Sequence, residues 1–505
     1  MPTPDPDYLI LGTGMAALSL GAQLATAGQR VRLLEAHEYP GGYAHSFPMG
    51  GYRLCAQVHY VFGCHPGGTI ADLLERVGLS DEVRFRRLDP DGYDHVVVSG
   101  ERYRIPNGFD TFRDRLLVRH PEHATPLRAY FRLLTDVRDE LDRLPDQPRA
   151  WDYALAPLRF PNVLRWRDAT LGEVYDRLRM PQRLRAVLAG QSGDYLLPPS
   201  RVSFLLHTAL VAGYDRGAWY PEQHYGHLVD RLVDTIRAHP GCSVELEREV
   251  DHISIAGGRV IGVRTRDGVV HTAATYVSNI DPARTVALAG PEHFPSTYTR
   301  RVTYPYSCGS FTLYLGVKGI DLRDYGFGSW NVWHYPHDDL DRAYAAQLDQ
   351  GDLSDPWLFL ATPSLHSDAP GLTPPGHQLL EVATACDHAH FARKKAEGSR
   401  AYTQEKVRVR ERILDVLEAR YVPGLRRHLA LRVVGSATTN ARYCWAPEGN
   451  AYGAALTPAA RARVPFETPI PNLYLVNATA GWPSVCGAVR SGTRLYDKLA
   501  GGRTG

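Results

Sequence analysis

The sequence lacks most of the motifs by which catalytic sites are recognised. It has no cluster of histidine, cysteine and acidic residues at a metal-ligand spacing, no Gly-x-Ser-x-Gly nucleophile motif and no evident catalytic pair of carboxylates. No metal site is therefore predicted. The side chains also offer little dedicated acid–base machinery at recognisable positions.

Cysteines are few and scattered. The seven cysteines include no Cys-x-x-Cys pair, and their odd number argues against a complete disulfide framework. A reducing, cytoplasmic environment is the simplest prediction.

Long apolar runs and runs of one charge are also missing. No stretch has the length and apolarity of a transmembrane helix. The net charge is +2, with the two signs mixed along the chain, so no nucleic-acid partner is expected. The first seven residues are acidic and proline-rich, and we do not expect a signal peptide. Peripheral membrane contact and the oligomeric state stay open.

The most informative stretch lies within the first forty residues. The apolar run Tyr8–Leu11 predicts a strand, residues 18–27 predict a helix, and Val31–Leu34 predict a second strand that ends at Glu35. A glycine-rich turn joins the first strand to the helix. This order of strand, tight turn, helix, strand and acid is typical of a dinucleotide-binding βαβ unit.

Each residue of this turn has a physical role in binding a dinucleotide. Gly12 permits the sharp turn, Gly14 lets a pyrophosphate approach the backbone, and Ala17 is small enough for close helix–strand packing. Met15 and Ala16 belong to the turn that leads into the helix, whose free N–H groups and positive dipole end attract phosphates. Glu35 can accept hydrogen bonds from ribose hydroxyls, which favours FAD or NAD over NADP.

A second glycine motif follows the acidic strand end. Ala36 comes directly after Glu35, and the pair Gly41-Gly42 lies a few residues later, followed by Tyr43. Paired glycines let a loop pass close to a cofactor. With these motifs the chain resembles the phytoene desaturase, carotenoid isomerase and retinol saturase group of FAD-dependent enzymes. Tyr43 stands where that group often has an arginine.

The resemblance implies an α/β fold: a Rossmann-like FAD-binding domain of amine-oxidase type, with a discontinuous α+β substrate domain. The predicted FAD-binding domain comprises residues 1–108, 216–291 and 429–505. The predicted substrate domain has a helical part, 109–215, and a sheet part, 292–428.

The resemblance also implies further cofactor contacts. Val250 lies in the predicted β segment Glu249–Ile253, and the valine at this position meets the adenine with its backbone in the family. Asn279 lies in the stretch 276–282, which is predicted to return as a strand to the main sheet. Ala478 opens a late loop, and Val485 opens a helix whose N-terminus points at the flavin in the family.

Three residues are candidates for the substrate side. His59-Tyr60 is similar to a retinol saturase segment that runs beside the flavin ring, and His59 could position or protonate a substrate, or be structural. Trp482 stands where glycine is common and could wall the substrate site, or only pack. Covalent flavin attachment through His59 or Cys64 also stays open.

The resemblance implies an enzyme that acts on a hydrophobic polyene or isoprenoid-like chain, free or carried by a partner protein. The leading prediction is desaturation by hydride transfer to flavin N5. The alternatives are redox-neutral cis–trans isomerisation with reduced FAD, saturation of a double bond, and a flavin-bearing scaffold without turnover. Product mass would separate the first three.

Overall fold

A five-stranded parallel sheet forms the framework of the cofactor side. The computed structural model describes residues 5–145, 150–461 and 463–501; residues 1–4, on which part of the signal-peptide expectation rests, lie outside them. All four residues of the central strand are buried, which explains its unbroken apolar run. The strand order is β19 (Leu473–Leu475), β13 (Thr275–Ser278), β1 (Tyr8–Leu11), β2 (Val31–Leu34) and β9 (Ser243–Glu245).

A small antiparallel layer lies beside this sheet. Its first two strands are joined by Gly257 and Gly258, whose φ angles are +56° and +71°. A two-residue turn with two positive φ angles matches the twist of the flanking strands. The layer contains β10 (Val250–Ala256), β11 (Arg259–Thr265) and β12 (Val270–His271).

A seven-stranded mixed sheet forms the other side of the molecule. Its strands are antiparallel except for one parallel pair, β15 with β6. The strand order is β18 (Leu429–Gly435), β14 (Gly309–Lys318), β17 (His377–Cys386), β16 (Leu358–Ala361), β15 (Asn331–Tyr335), β6 (Asp94–Val98) and β7 (Glu101–Ile105). Two antiparallel pairs complete the strands: β3 (Ser46–Met49) with β4 (Tyr52–Cys55), and β5 (Phe85–Arg87) with β8 (Trp219–Pro221).

The strand pairing differs from the predicted segments at three strands. β6 and β7 lie within residues 1–108, and β18 lies within 429–505, yet all three pair in the seven-stranded sheet. A strand's own residue pattern does not show which distant strand it pairs with, so the sequence could not assign these strands to a sheet. The remaining division into domains stays a prediction.

Helices cover both sheets and form most of the segment 109–215, as the apolar spacing predicts. Among the described helices, none is both long enough and apolar enough to cross a bilayer. The helices are α1 (Met15–Thr26), α2 (Thr69–Arg76), α3 (Phe109–Arg119), α4 (Ala124–Asp142), α5 (Ala150–Arg159), α6 (Pro161–Trp166), α7 (Leu171–Arg177), α8 (Gln182–Leu188), α9 (Phe204–Asp215), α10 (His224–Ala238), α11 (Pro282–Ala289), α12 (Ser296–Arg301), α13 (Leu340–Leu348), α14 (Pro363–His366), α15 (His388–Ala396), α16 (Ser399–Arg420), α17 (Ala437–Tyr443) and α18 (Val485–Gly501).

The strand predicted over residues 276–282 ends early. β13 stops at Ser278, and Asp281 instead caps α11 by accepting hydrogen bonds from the backbone N–H groups of Ala283 and Arg284 at 3.0 and 3.3 Å. Pro282 at the first helical position favours this helix start, because its missing N–H would be unpaired there anyway. Asn279 therefore lies beyond the end of the strand.

Close packing of α1 against α18 brings two helix starts to one place. A Cβ atom on Gly492 of α18 would lie 2.0 Å from Ser19 Oγ of α1, so the helices can approach this closely only with glycine there. Their first residues, Met15 and Val485, line the same cavity. The two N-termini, with their free N–H groups, thus meet at a single site.

Candidate active site

A cavity of about 320 Å³ lies between the parallel sheet and the seven-stranded sheet. It brings together residues that are as far apart in sequence as the first turn and the last helix. Most of the predicted site residues line it: Gly12, Gly14, Met15, Ala16, Glu35, Ala36, Gly41, Gly42, Tyr43, His59, Val250, Asn279, Ala478 and Val485.

The turn between β1 and α1 has the geometry that its glycines predict. Gly12 has a φ of +98°, which favours glycine. The Gly14 N–H donates to Asn279 Oδ1 at 3.0 Å, and a Cβ on Gly14 would lie 2.5 Å from that oxygen. Asn279 Nδ2 in turn donates to the Val476 carbonyl at 2.5 Å. Asn279 therefore ties the glycine turn to the ends of two neighbouring strands.

Glu35 braces the same turn. Its Oε2 accepts hydrogen bonds from Thr13 N and Thr13 Oγ1 at 2.8 and 2.5 Å, and its Oε1 accepts one from His37 N at 3.0 Å. These bonds hold the carboxylate at the end of β2, on the cavity wall. The acid at the strand end thus both shapes the turn and faces the cavity.

The double glycine lies directly against this turn. Gly41 and Gly42 have φ angles of +115° and +56°, and a Cβ on Gly42 would lie 3.2 Å from the Gly14 Cα. The Tyr43 hydroxyl donates to the Asn450 carbonyl. Burial raises the pKa of Tyr43 well above its usual range, so its hydroxyl stays neutral.

His59 is held by a buried acid that the sequence analysis did not identify. Its Nδ1 lies 2.8 Å from Glu381 Oε2, and its ring centroid lies 4.9 Å from that of Phe359. The side chains of His59 and Glu381 are 13% and 1% exposed. In the neutral tautomer that donates from Nδ1, the opposite ring nitrogen, Nε2, is the acceptor.

Among the described residues, four that the sequence analysis named for the site are not part of the cavity lining: Ala17, Tyr60, Cys64 and Trp482. Ala17 is fully buried behind the glycine turn. The Tyr60 hydroxyl points to two carboxylates, Asp94 and Asp194. The Trp482 ring lies 6.0 Å from the Arg463 guanidinium, next to the turn at Gly481.

One wall of the cavity consists of aromatic residues that are not among the predicted site residues. Trp333, Trp357 and Phe359 form an aromatic wall, and Asp194 lies beside them. Two signals were available. Asp194 lies where the helical pattern breaks, and Glu381 is a lone acid inside an apolar strand. Neither pattern indicates a function for Asp194 or Glu381 until their tertiary contacts are known.

Comparison with known proteins identifies the family. The profile of the family described as flavin containing amine oxidoreductase matches residues 15–495. The chain belongs to this family. It is therefore a flavin-dependent oxidoreductase.

Curated relatives match most of this flavoenzyme at low identity. All-trans-retinol 13,14-reductase of Danio rerio is 24% identical, over 93% of this chain and 82% of that protein. Prolycopene isomerase of Arabidopsis thaliana is 23% identical, over 93% and 78% of the two chains. The lycopene-forming phytoene desaturase of Pseudescherichia vulneris is 25% identical, over 96% and 98%.

Solved structures show the same fold. A redesigned putrescine oxidase has a TM-score of 0.66 at 13% identity, over 99% of this chain and 100% of that chain. An oxidoreductase from Methanosarcina mazei has a TM-score of 0.62 at 18% identity, over 97% and 99%. The predicted amine-oxidase type of fold is confirmed.

The residues around the cavity fit a flavin cofactor. The glycine turn and the double glycine form a cradle that a single Cβ on Gly14 would obstruct. The starts of α1 and α18 both face the cavity and offer backbone N–H donors to anionic or electron-rich groups. In the described ranges, no group of three His, Cys, Asp or Glu residues is arranged to hold a metal ion.

Proposed function

We propose that the protein is an FAD-dependent oxidoreductase that forms a carbon–carbon double bond in a hydrophobic polyene. The observation that carries this proposal is the continuity of one cavity. It extends from the glycine turn at Gly14, past His59, to the aromatic wall of Trp333, Trp357 and Phe359. The glycine turn would hold the cofactor, and the aromatic wall would hold an apolar substrate chain against the flavin in the same cavity.

The adenosine end of the cavity supports FAD as the form of the flavin. Glu35 and Val250 lie at this end, where a ribose and an adenine would be held, and Gly14 and Gly42 would accept the pyrophosphate. Ala478 and Val485 would hold the flavin end. When bound, the flavin supplies two-electron chemistry by taking up or returning a hydride at carbon.

The substrate class is supported by the relatives and by the wall chemistry. The three relatives are named for retinol reduction, prolycopene isomerisation and phytoene desaturation. Indole and phenyl rings give an extended apolar chain a rigid surface and exclude water. A polyene that reaches the cavity free or on a carrier protein fits this surface.

The test is an anaerobic assay of the purified flavoprotein with phytoene, prolycopene and all-trans-retinol, which follows flavin absorbance and product mass together. We expect bleaching of the flavin and a product that has lost two hydrogens. No reaction with any of the three polyenes would contradict the substrate class.

Saturation is the second candidate, favoured by the retinol reductase relatives that match 93% of this chain. It would give a product heavier by two hydrogens after the flavin has been reduced beforehand. Turnover without a change in mass under the same conditions would establish isomerisation instead.

Replacing Phe359 tests the aromatic wall. Phe359→Leu should raise the KM for a polyene several-fold and leave flavin content unchanged, because Phe359 lies on the aromatic wall and not at the glycine turn. Phe327→Leu is the matched control, since Phe327 is buried in the core of the seven-stranded sheet against Tyr421. Equal KM values for the two variants would remove Phe359 from the proposed substrate wall.

A further inference from the structure

One tyrosine lies between a buried carboxyl group, that of Asp94, and a half-buried one, that of Asp194. The Tyr60 hydroxyl is 2.8 Å from Asp94 Oδ2 and 2.8 Å from Asp194 Oδ2. A phenol has one hydrogen and can donate to only one of these oxygens. The other contact is a hydrogen bond only if a carboxyl group supplies the hydrogen. The two carboxyl groups therefore hold one proton between them.

The surroundings decide which of the two carries the negative charge. Asp94 also accepts hydrogen bonds from Gln191 Nε2 at 2.8 Å and from Asn331 Nδ2 at 3.1 Å. Asp194 has the Tyr214 hydroxyl as its further partner. Because the amide donors stabilise a carboxylate, Asp94 is the ionised member and Asp194 the protonated one.

The pKa values of the two acids support the same assignment. It raises the pKa of Asp94 to about 6, against the hydrogen-bond donors that lower it. Burial and the neighbouring Asp94 carboxylate raise the pKa of Asp194 well above its usual range. At neutral pH the pair thus carries one charge and one proton.

The position of the pair connects the cavity to the interior. Asp194 ends the short 3-10 turn Ser192–Asp194 and lines the cavity beside Phe359. Asp94 lies on β6 with no exposed surface. Tyr60 bridges them and stacks on Phe359 with ring centroids 6.0 Å apart. A hydrogen-bonded chain therefore runs from the cavity wall inward.

We propose that Asp194, Tyr60 and Asp94 form a proton relay that removes a proton from a substrate carbon at the cavity wall. The proposal rests on the proposed desaturation. Asp194 is the residue that meets the substrate. Tyr60 and Asp94 act through it and are positioning residues.

The relay accounts for the proton that hydride transfer leaves behind. Desaturation removes a hydride, which a bound flavin would accept, from one carbon, and a proton from the next carbon, whose C–H electron pair becomes the new π bond. That proton passes to Asp194, the proton of Asp194 passes to Tyr60, and the phenolic proton of Tyr60 passes to Asp94. Asp94 ends as a neutral acid, and in saturation the same transfers run in reverse.

The relay predicts an acid limb in the pH profile of desaturation. Turnover should fall as pH drops through about 6, where Asp94 becomes protonated and can accept no further proton. Burial raises the pKa of each tyrosine around the pair, so these groups stay neutral in that range; they are Tyr60, Tyr93, Tyr195, Tyr214, Tyr335 and Tyr452. His59, the chain neighbour of Tyr60, contacts Glu381 instead.

The first test needs no substrate. The infrared spectrum of the FAD-loaded protein at pH 7 should contain a carboxylic-acid carbonyl band that is absent from Asp194→Asn. Glu405→Gln is the control and should keep the band, because the Arg408 guanidinium at 2.7 Å and other partners lower the pKa of Glu405 to about 2. A wild-type spectrum without the band, or with a band that Asp194→Asn retains, would overturn the relay.

The second test measures turnover of phytoene, prolycopene and all-trans-retinol. Tyr60→Phe should lower turnover about a hundredfold with unchanged flavin content, the order expected when acid–base catalysis is lost. Asp94→Asn should do the same and also remove the acid limb.

Tyr225→Phe is the matched control. In the described parts of the chain, the buried Tyr225 hydroxyl has no hydrogen-bond partner, so we expect wild-type turnover. Wild-type turnover in Tyr60→Phe would overturn the relay. If the wild type converts none of the three polyenes but the infrared band behaves as expected, the proposed function fails and the proton sharing stands.

Discussion

Gly14→Asp should purify without flavin. The new Cβ would lie 2.5 Å from Asn279 Oδ1, and the carboxylate would occupy the place proposed for the pyrophosphate. Steric overlap and charge repulsion both oppose binding, and the helix start at Met15 would lose its access to phosphate. The measurement is the ratio of flavin to protein absorbance after purification, with thermal unfolding to establish that the variant is folded.

The control for this variant lies in the same βαβ unit. Gly28 ends α1 with a φ of +77°, and a Cβ there would meet nothing within 4 Å. Gly28→Asn should keep full flavin content, because asparagine tolerates the left-handed conformation. A yellow, fully loaded Gly14→Asp protein would show that the cofactor is not held at this turn.

His59→Ala should destabilise the protein strongly and lower its turnover. Glu381 Oε2 has His59 as its partner, and Glu381 Oε1 has none among the described residues. Removing the imidazole would leave the buried Glu381 carboxyl group without its hydrogen-bond partner, at a cost of about 1–3 kcal/mol or more in the free energy of unfolding. Chemical denaturation measures this loss, and retained flavin absorbance shows that the site is still formed.

A double variant separates the loss of this hydrogen bond from other effects of the substitution. His59→Ala with Glu381→Leu should recover most of the lost stability, because no buried polar group remains without a partner. Exposed His252→Ala should change the unfolding free energy by less than about 0.5 kcal/mol. If His59→Ala costs no more than His252→Ala, Glu381 does not depend on His59.

The candidate site could be predicted where local geometry imposes a residue type. Gly12 needs a positive φ and Gly14 needs the absence of a side chain, so the turn is visible as a pattern of glycines between a strand and a helix. Glu35 and the double glycine follow at short range. The catalytic assignments of His59, Tyr60 and Trp482 had no such local requirement and stay predictions, although Trp482 lies away from the cavity.

The dinucleotide-binding unit could be predicted from the chain alone, because backbone requirements and hydrophobic periodicity are local, and the resemblance to polyene-acting flavoenzymes implied the type of fold. The pairing of β6, β7 and β18 in the seven-stranded sheet, and the contacts of Asp194 with Tyr60 and of Glu381 with His59, exist only in the folded structure. These contacts join residues 134 and 322 positions apart in the chain. Burial and the neighbouring Asp94 then raise the pKa of Asp194, and both exist only after the chain has packed.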